Sequence, residues 1–271
     1  MVTTASAQTS SIIDIDLWPE GLPNTNGIDK TQPFDDARQN YKPTLRIFLP
    51  DSARTNHKAI LCLPGGGYSH LAMQHEGYDW ATYYNQLGFT LAVLKYRMPY
   101  QHPEVPISDA EEAMRLIRSH AAQWQLDPQA VGIMGSSAGG HLATTLATHS
   151  DQRPAFQILF YPVVTFQYAT THQGSRRNLV GDDAPQTLID LYSNEQQVDS
   201  LTPPAIMLLS DDDRLVLPQN STDYYAALKR HHIPATLHIY PSGGHGWGIR
   251  PTFRHHQAML TDLAEWLSTV K

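Results

Sequence analysis

The run Ala130-Val131-Gly132-Ile133-Met134-Gly135-Ser136-Ser137-Ala138-Gly139-Gly140-His141 constrains this chain more than any other stretch. A short apolar segment enters Gly-x-Ser-x-Gly and passes directly into a helix-like segment, His141 to Thr148. The order is strand, sharp turn, helix. Such a turn forces its central residue into a strained backbone conformation, and small flanking residues let strand and helix approach closely. The pattern therefore places Ser137 at the top of a sheet with its hydroxyl exposed. The N-terminus of the following helix lies beneath it, where developing negative charge is favoured.

The rest of the chain reads as strands alternating with helices. Strands are expected at Ile12–Leu17, Thr44–Leu49, Lys58–Leu63, Phe89–Tyr96, Phe156–Tyr161, Ala205–Leu209 and Ala235–Tyr240, besides the one that leads into Ser137. Helices are expected over His75–Leu87, over Ile107–Gln125 with Ser108 or Asp109 as its cap, over Gln219–His231 and over Phe253–Val270. The stretch 166–203 loses periodicity, with short helices near Thr187–Tyr192 and Asn194–Val198. It reads either as a surface excursion or as one wall of a binding site. Continuous apolar strands joined by helical crossovers make a mostly parallel sheet covered on both faces, an α/β fold. At 271 residues the chain is long enough to bury about 70–75% of its unfolded surface around one core.

In such sheets the working groups gather at the carboxyl ends of the strands. A serine hydroxyl needs a base to take its proton, and the base needs an acid to orient it. Past Ala205–Leu209 comes Ser210-Asp211-Asp212-Asp213-Arg214, where one acid can serve, with a solvated, capped turn as the plain alternative. Past Ala235–Tyr240 comes Pro241-Ser242-Gly243-Gly244-His245-Gly246. The chain has 14 histidines, so position rather than residue type singles out His245. The order serine, acid, histidine is that of the nucleophile-elbow hydrolases. Gly65-Gly66-Gly67, at the end of a third strand, supplies backbone N–H groups. With Ala138 just after the serine, Gly66 and Gly67 are the candidate donors for an oxyanion. Tyr68 and Trp247 flank these residues; each is a candidate for stacking on a sugar ring, with packing as the alternative.

Other chemistries find little support. The net charge is −7, which points away from nucleic acid. No run reaches the roughly 18 apolar residues of a membrane span. The single cysteine, Cys62, allows no intramolecular disulfide. His231-His232 and His255-His256 are adjacent pairs, which do not share a helix face. No His-Glu-x-x-His motif or cysteine cluster is present, so no metal or cofactor is expected. Ala5-Ser6-Ala7-Gln8 has the small-residue character of a secretory cleavage site without a preceding apolar stretch, which leaves an exported and a cytoplasmic protein both open.

Seven motifs together resemble one family: Leu17-Trp18-Pro19-Glu20-Gly21, Pro64-Gly65-Gly66-Gly67-Tyr68, Tyr96-Arg97-Met98-Pro99, Gly135-Ser136-Ser137-Ala138-Gly139-Gly140-His141, Ser175-Arg176-Arg177-Asn178-Leu179-Val180-Gly181, Tyr192-Ser193-Asn194-Glu195 and Gly243-Gly244-His245-Gly246. They are similar to those of the α/β-hydrolase carbohydrate esterases, the acetyl xylan esterase-like group often labelled lipase/esterase. Pro64 stands where related lipases carry the histidine of His-Gly-Gly-Gly. The resemblance implies an α/β-hydrolase fold without a large cap domain; the residues themselves read as a tail over 1–10 and one catalytic domain over 11–271. It implies a serine esterase that removes acetyl or other short acyl groups from small or oligosaccharide esters of xylan type through an acyl-enzyme. The catalytic residues would be Ser137, His245 and an acid. Related prolyl-oligopeptidase-type hydrolases place that acid first in an Asp-Asp-x-hydrophobic run. This register selects Asp212 in Asp212-Asp213-Arg214-Leu215, with Asp213 as runner-up. A general short-chain carboxylesterase or peptidase-like hydrolase remains open, as does a carbohydrate-binding homologue without turnover.

Overall fold

The computed structural model describes residues 11–167 and 169–270. The stretch 1–10, with Ala5-Ser6-Ala7-Gln8, lies outside the described residues. Among the described residues eight strands form one sheet: β1 (Ile12–Asp16), β2 (Thr44–Phe48), β3 (Ala59–Leu63), β4 (Thr90–Lys95), β5 (Val131–Ser136), β6 (Gln157–Phe160), β7 (Ala205–Ser210) and β8 (Ala235–Tyr240). Their spatial order is β1-β2-β4-β3-β5-β6-β7-β8. The β1–β2 and β2–β4 pairs are antiparallel and every later pair is parallel. From β3 the chain crosses outward to β4, then returns over β3 to β5. The connections leaving β3 and β5 therefore diverge, and a crevice opens beyond their carboxyl ends.

Among the described residues seven α-helices accompany the sheet: α1 (Ala81–Gln86), α2 (Glu104–Ser119), α3 (Ala138–His149), α4 (Gln173–Val180), α5 (Gln186–Leu191), α6 (Gln219–Arg230) and α7 (His256–Thr269). Alternate residues of each central strand feed opposite faces. Leu61 and Leu63 of β3 join the core formed with α2, α3 and α6, whereas Ile60 and Cys62 join the core formed with α1 and α7. Strands buried on both faces explain the continuous apolar runs. No helix among the described residues is long and apolar enough to cross a membrane.

Two expectations need correction, and one helix was not expected. Helix α2 begins at Glu104 behind Pro103, so neither Ser108 nor Asp109 caps it. Asp109 is instead fully buried and accepts hydrogen bonds from Arg97 and Trp18. The helix expected from His75 begins only at Ala81, after a 3-10 turn over Tyr78–Trp80. The backbone ahead of that turn serves other contacts: Ile249 N–H donates to the His75 carbonyl, and Tyr78 N–H to that of Met73. Helix α4 has no apolar period to announce it; its sequence GSRRN is polar, and the His172 side chain caps it by accepting from Ser175 N–H.

Candidate active site

Ser137 sits between β5 and α3 with φ +53° and ψ −121°, a backbone region costly to any residue with a Cβ. The turn closes because its neighbours are glycines. A Cβ on Gly139 would lie 2.0 Å from the Leu63 carbonyl oxygen, and one on Gly135 would lie 2.3 Å from that of Gly139. Backbone bonds from Ser137 N–H to Phe160 and from Val163 N–H to Ser137, each 3.0 Å, lock the turn against β6.

The Ser137 hydroxyl donates to His245 Nε2 at 2.8 Å, and His245 Nδ1–H donates to Asp213 Oδ2 at 2.7 Å. A carboxylate only accepts, so this contact places the imidazole proton on Nδ1 and leaves Nε2 as acceptor for the serine. The Asp213 side chain is fully buried, and its other oxygen accepts from Leu215 N–H (2.9 Å) and Val216 N–H (3.0 Å). The acid beside the histidine is thus Asp213 and not Asp212, which corrects the register drawn from related hydrolases. The reason lies in the turn after β7. Asp211 N–H continues the ladder to Tyr240, and Asp213 N–H folds back to Ser210, which carries the third acid inward. Asp212 stays exposed and accepts from Gly244 N–H at 2.7 Å, holding the loop that bears His245.

Glu76 was not singled out by the sequence, and nothing distinguishes it there from the other acids. Its buried carboxylate accepts from Gly65 N–H (2.8 Å) and from the Tyr161 hydroxyl (2.8 Å), and that hydroxyl accepts from Gly248 N–H (2.8 Å). One carboxylate therefore joins the glycine loop, the end of β6 and the histidine loop. Burial, reinforced by the Glu76 charge, pushes the Tyr161 phenol well above its ordinary pKa, so it remains a donor. Its ring packs edge-on against His245, with centroids 4.7 Å apart.

Gly65 N–H is thus committed to Glu76, while Gly66 and Gly67 line an open cleft of about 320 Å³ with Ser137, His172, Leu215 and His245. Gly66 takes φ +134° and Gly67 +65°, and a Cβ on Gly66 would lie 2.0 Å from the His70 carbonyl oxygen. Ala138 opens α3, so its N–H has no acceptor within the helix. A hydroxyl paired to an imidazole, the imidazole backed by a buried carboxylate, and backbone donors around the hydroxyl can together generate a nucleophile and hold an oxyanion.

Tyr68 and Trp247 do not face this cleft. Tyr68 is 2% exposed and bonds through its hydroxyl to His141 Nδ1; Trp247 is 4% exposed, stacks on Phe253 at 4.1 Å and donates to Ser210 Oγ. Both pack the core, and neither is placed to stack on a sugar. His172, from the aperiodic stretch 166–203, lines the cleft instead. That stretch is anchored to the elbow helix: the His141 ring lies on Phe166 and contacts the Tyr192 carbonyl through Nε2, and Asn194 bonds Thr144 and Thr145. Burial lowers the His141 pKa to about 3, so it is neutral and donates to Tyr192.

The family model described as BD-FAE matches residues 45–228. Over 235 residues the chain is 40% identical to the acetylxylan esterase of Xylanibacter ruminicola, covering 84% of this chain and 48% of that protein. Over 229 residues it is 31% identical to endo-1,4-beta-xylanase B of Butyrivibrio fibrisolvens, covering 78% of this chain and 35% of that one. The chain therefore spans about half the length of the first relative and about a third of the second. Among solved structures, the acetyl ester-xyloside bifunctional hydrolase of Caldicellulosiruptor lactoaceticus aligns with a TM-score of 0.82 at 33% identity, over 95% of this chain and 96% of that one. The architecture is the α/β-hydrolase fold of carboxylesterase type.

Proposed function

The chain belongs to the BD-FAE family, and we propose that it is a serine esterase cleaving acetyl or other short acyl esters on xylan-type carbohydrates. The observation that carries this reading is the continuous hydrogen-bond chain Ser137–His245–Asp213 opening into the cleft beside the glycine loop. Ser137 Oγ attacks the ester carbonyl while His245 Nε2 takes its proton. The N–H groups of Gly66, Gly67 and Ala138 hold the oxyanion, an interaction whose loss typically costs about 3–4 kcal/mol per donor. His245 then protonates the departing sugar alkoxide. Water, activated by the same nitrogen, hydrolyses the acyl-Ser137 ester and releases the short acid. Asp213 fixes the imidazole tautomer and stabilises the imidazolium formed in each half-reaction.

The carbohydrate side of the proposal is supported by relatives and a structural neighbour named for acetylxylan, xylan and xyloside chemistry. Acetate release from acetylated xylo-oligosaccharides, measured beside p-nitrophenyl acetate with Ser137→Ala as blank, tests it. Release from both substrates by the unmodified protein is expected. Turnover of the nitrophenyl ester alone would leave a general short-chain carboxylesterase, and full activity in the Ser137→Ala protein would remove the serine mechanism.

A further inference from the structure

His172 has no role in the mechanism above, yet it lines the same cleft as Ser137 and His245. Its setting is built. His172 caps α4, accepting through Nδ1 from Ser175 N–H (3.2 Å) and from the Ser175 hydroxyl (2.8 Å). An imidazole nitrogen that accepts twice carries no proton, so the proton of the neutral ring sits on Nε2. Among the described residues no side chain or carbonyl accepts from that Nε2–H. Helix α4 is itself tied to the oxyanion loop, because Asn178 Nδ2 donates to the Gly67 carbonyl at 2.8 Å. A Cβ on Gly67 would lie 3.7 Å from His172 Cε1, which places the imidazole against that loop. Gly174 leaves room for the ring; a Cβ there would lie 3.2 Å from Cε1. Burial, and then the nearby His245, lower the His172 pKa, so the ring stays neutral and keeps one donor.

We propose that His172 is a specificity residue for the alcohol half of the ester, donating its Nε2–H to a hydroxyl or ring oxygen of the sugar next to the acylated position. This deepens the carbohydrate-esterase reading and rests on it. The donor is fixed by the cap and belongs to a cleft whose accessible wall is mainly apolar, with His70, His75 and Glu76 also among its lining residues. A polyhydroxylated leaving group offers it an acceptor, and a nitrophenyl leaving group offers no sugar oxygen. The histidine, glycine, serine and asparagine of this stretch then have one purpose: to aim a single N–H.

Two substitutions separate this role from helix capping. Asparagine retains the capping acceptor but is too short to present a donor at the Nε2 position; glutamine places an amide N–H near that position but loses the cap. His172→Asn is expected to lower kcat/KM on acetylated xylo-oligosaccharide about tenfold, mainly through KM, while p-nitrophenyl acetate turnover stays within about twofold. His172→Gln is expected to retain more of the sugar-ester activity than His172→Asn, although it melts at a lower temperature. Equal losses on both substrates, no loss on the sugar ester, or better retention by the asparagine variant would each overturn the proposal. An unmodified protein inactive on the sugar ester but active on p-nitrophenyl acetate would overturn the carbohydrate reading, and this inference with it.

Discussion

Asp109 and Asp213 are two buried carboxylates, each set against a basic side chain, and they do opposite things. Asp109 meets Arg97 with both side chains fully buried: Nη2 donates to Oδ1 at 2.7 Å, Nε contacts both oxygens, and Trp18 Nε1 adds a further donor at 2.8 Å. The remaining guanidinium donors go to Asn24 and Asp29. This cluster closes on itself and binds the segment around Trp18 and Asn24 to α2 and the end of β4. Asp213 is equally well satisfied, by His245 and two backbone N–H groups, but its base has a second nitrogen that faces a serine and an open cleft. Burial and pairing are common to both. What differs is whether the base keeps a valence for something that comes and goes, and the strand ends beyond the β3–β5 divergence are where this topology leaves room for it.

The comparison is broken most sharply from the catalytic side. Asp213→Asn should lower kcat by about 10⁴-fold, because the imidazole loses the partner that sets its tautomer, with thermal stability nearly intact. Steady-state kinetics beside a melting curve would check this; a mild loss of kcat would put the orienting role elsewhere. From the structural side, Arg97→Met leaves Asp109 as an uncompensated buried charge and should cost about 3–5 kcal/mol in urea unfolding, while the folded fraction keeps its turnover. A smaller effect comes from a third buried base, His141. Its folded pKa of about 3 lies below the ordinary 6.5, so between these values the unfolded chain binds the extra proton and stability falls as pH falls. The contribution should shrink by about 2 kcal/mol between pH 7 and pH 5. His141→Gln should flatten that slope when unfolding is followed across this range. The smallest effect sharpens the contrast within the acidic run: Asp212→Asn keeps an amide oxygen as acceptor for Gly244 N–H, loses only the charge and should change kcat less than tenfold. If it matched the Asp213 variant, the orienting acid assigned here would be wrong.

How much of this was legible beforehand follows from the range of the forces involved. The elbow, the buried strands and the placement of His245 are local patterns of apolar runs and glycines, and they read directly. Which of three adjacent acids turns inward depends on a single backbone bond from Asp213 to Ser210, and no periodicity encodes it. Glu76 escaped notice because its partners come from β6 and from the loops after β3 and β8, far away in the chain. Tyr68 and Trp247 sit next to site residues in sequence, yet successive side chains diverge, and both rings turned into the core. Helix α4 formed from a polar sequence because a histidine cap and contacts to the glycine loop hold it.

The serine and the histidine that bond across the cleft are 108 positions apart, and the histidine follows the last strand of the sheet. Contacts between such distant positions form late, after the intervening chain has lost most of its freedom. During synthesis the elbow emerges long before its base, so the nascent chain carries a serine without reactivity until β8 has left the ribosome and docked beside β7. In refolding, ester turnover should return with the slowest phase that orders the sheet. Activity thereby reports on completion of the whole architecture and not on its first half.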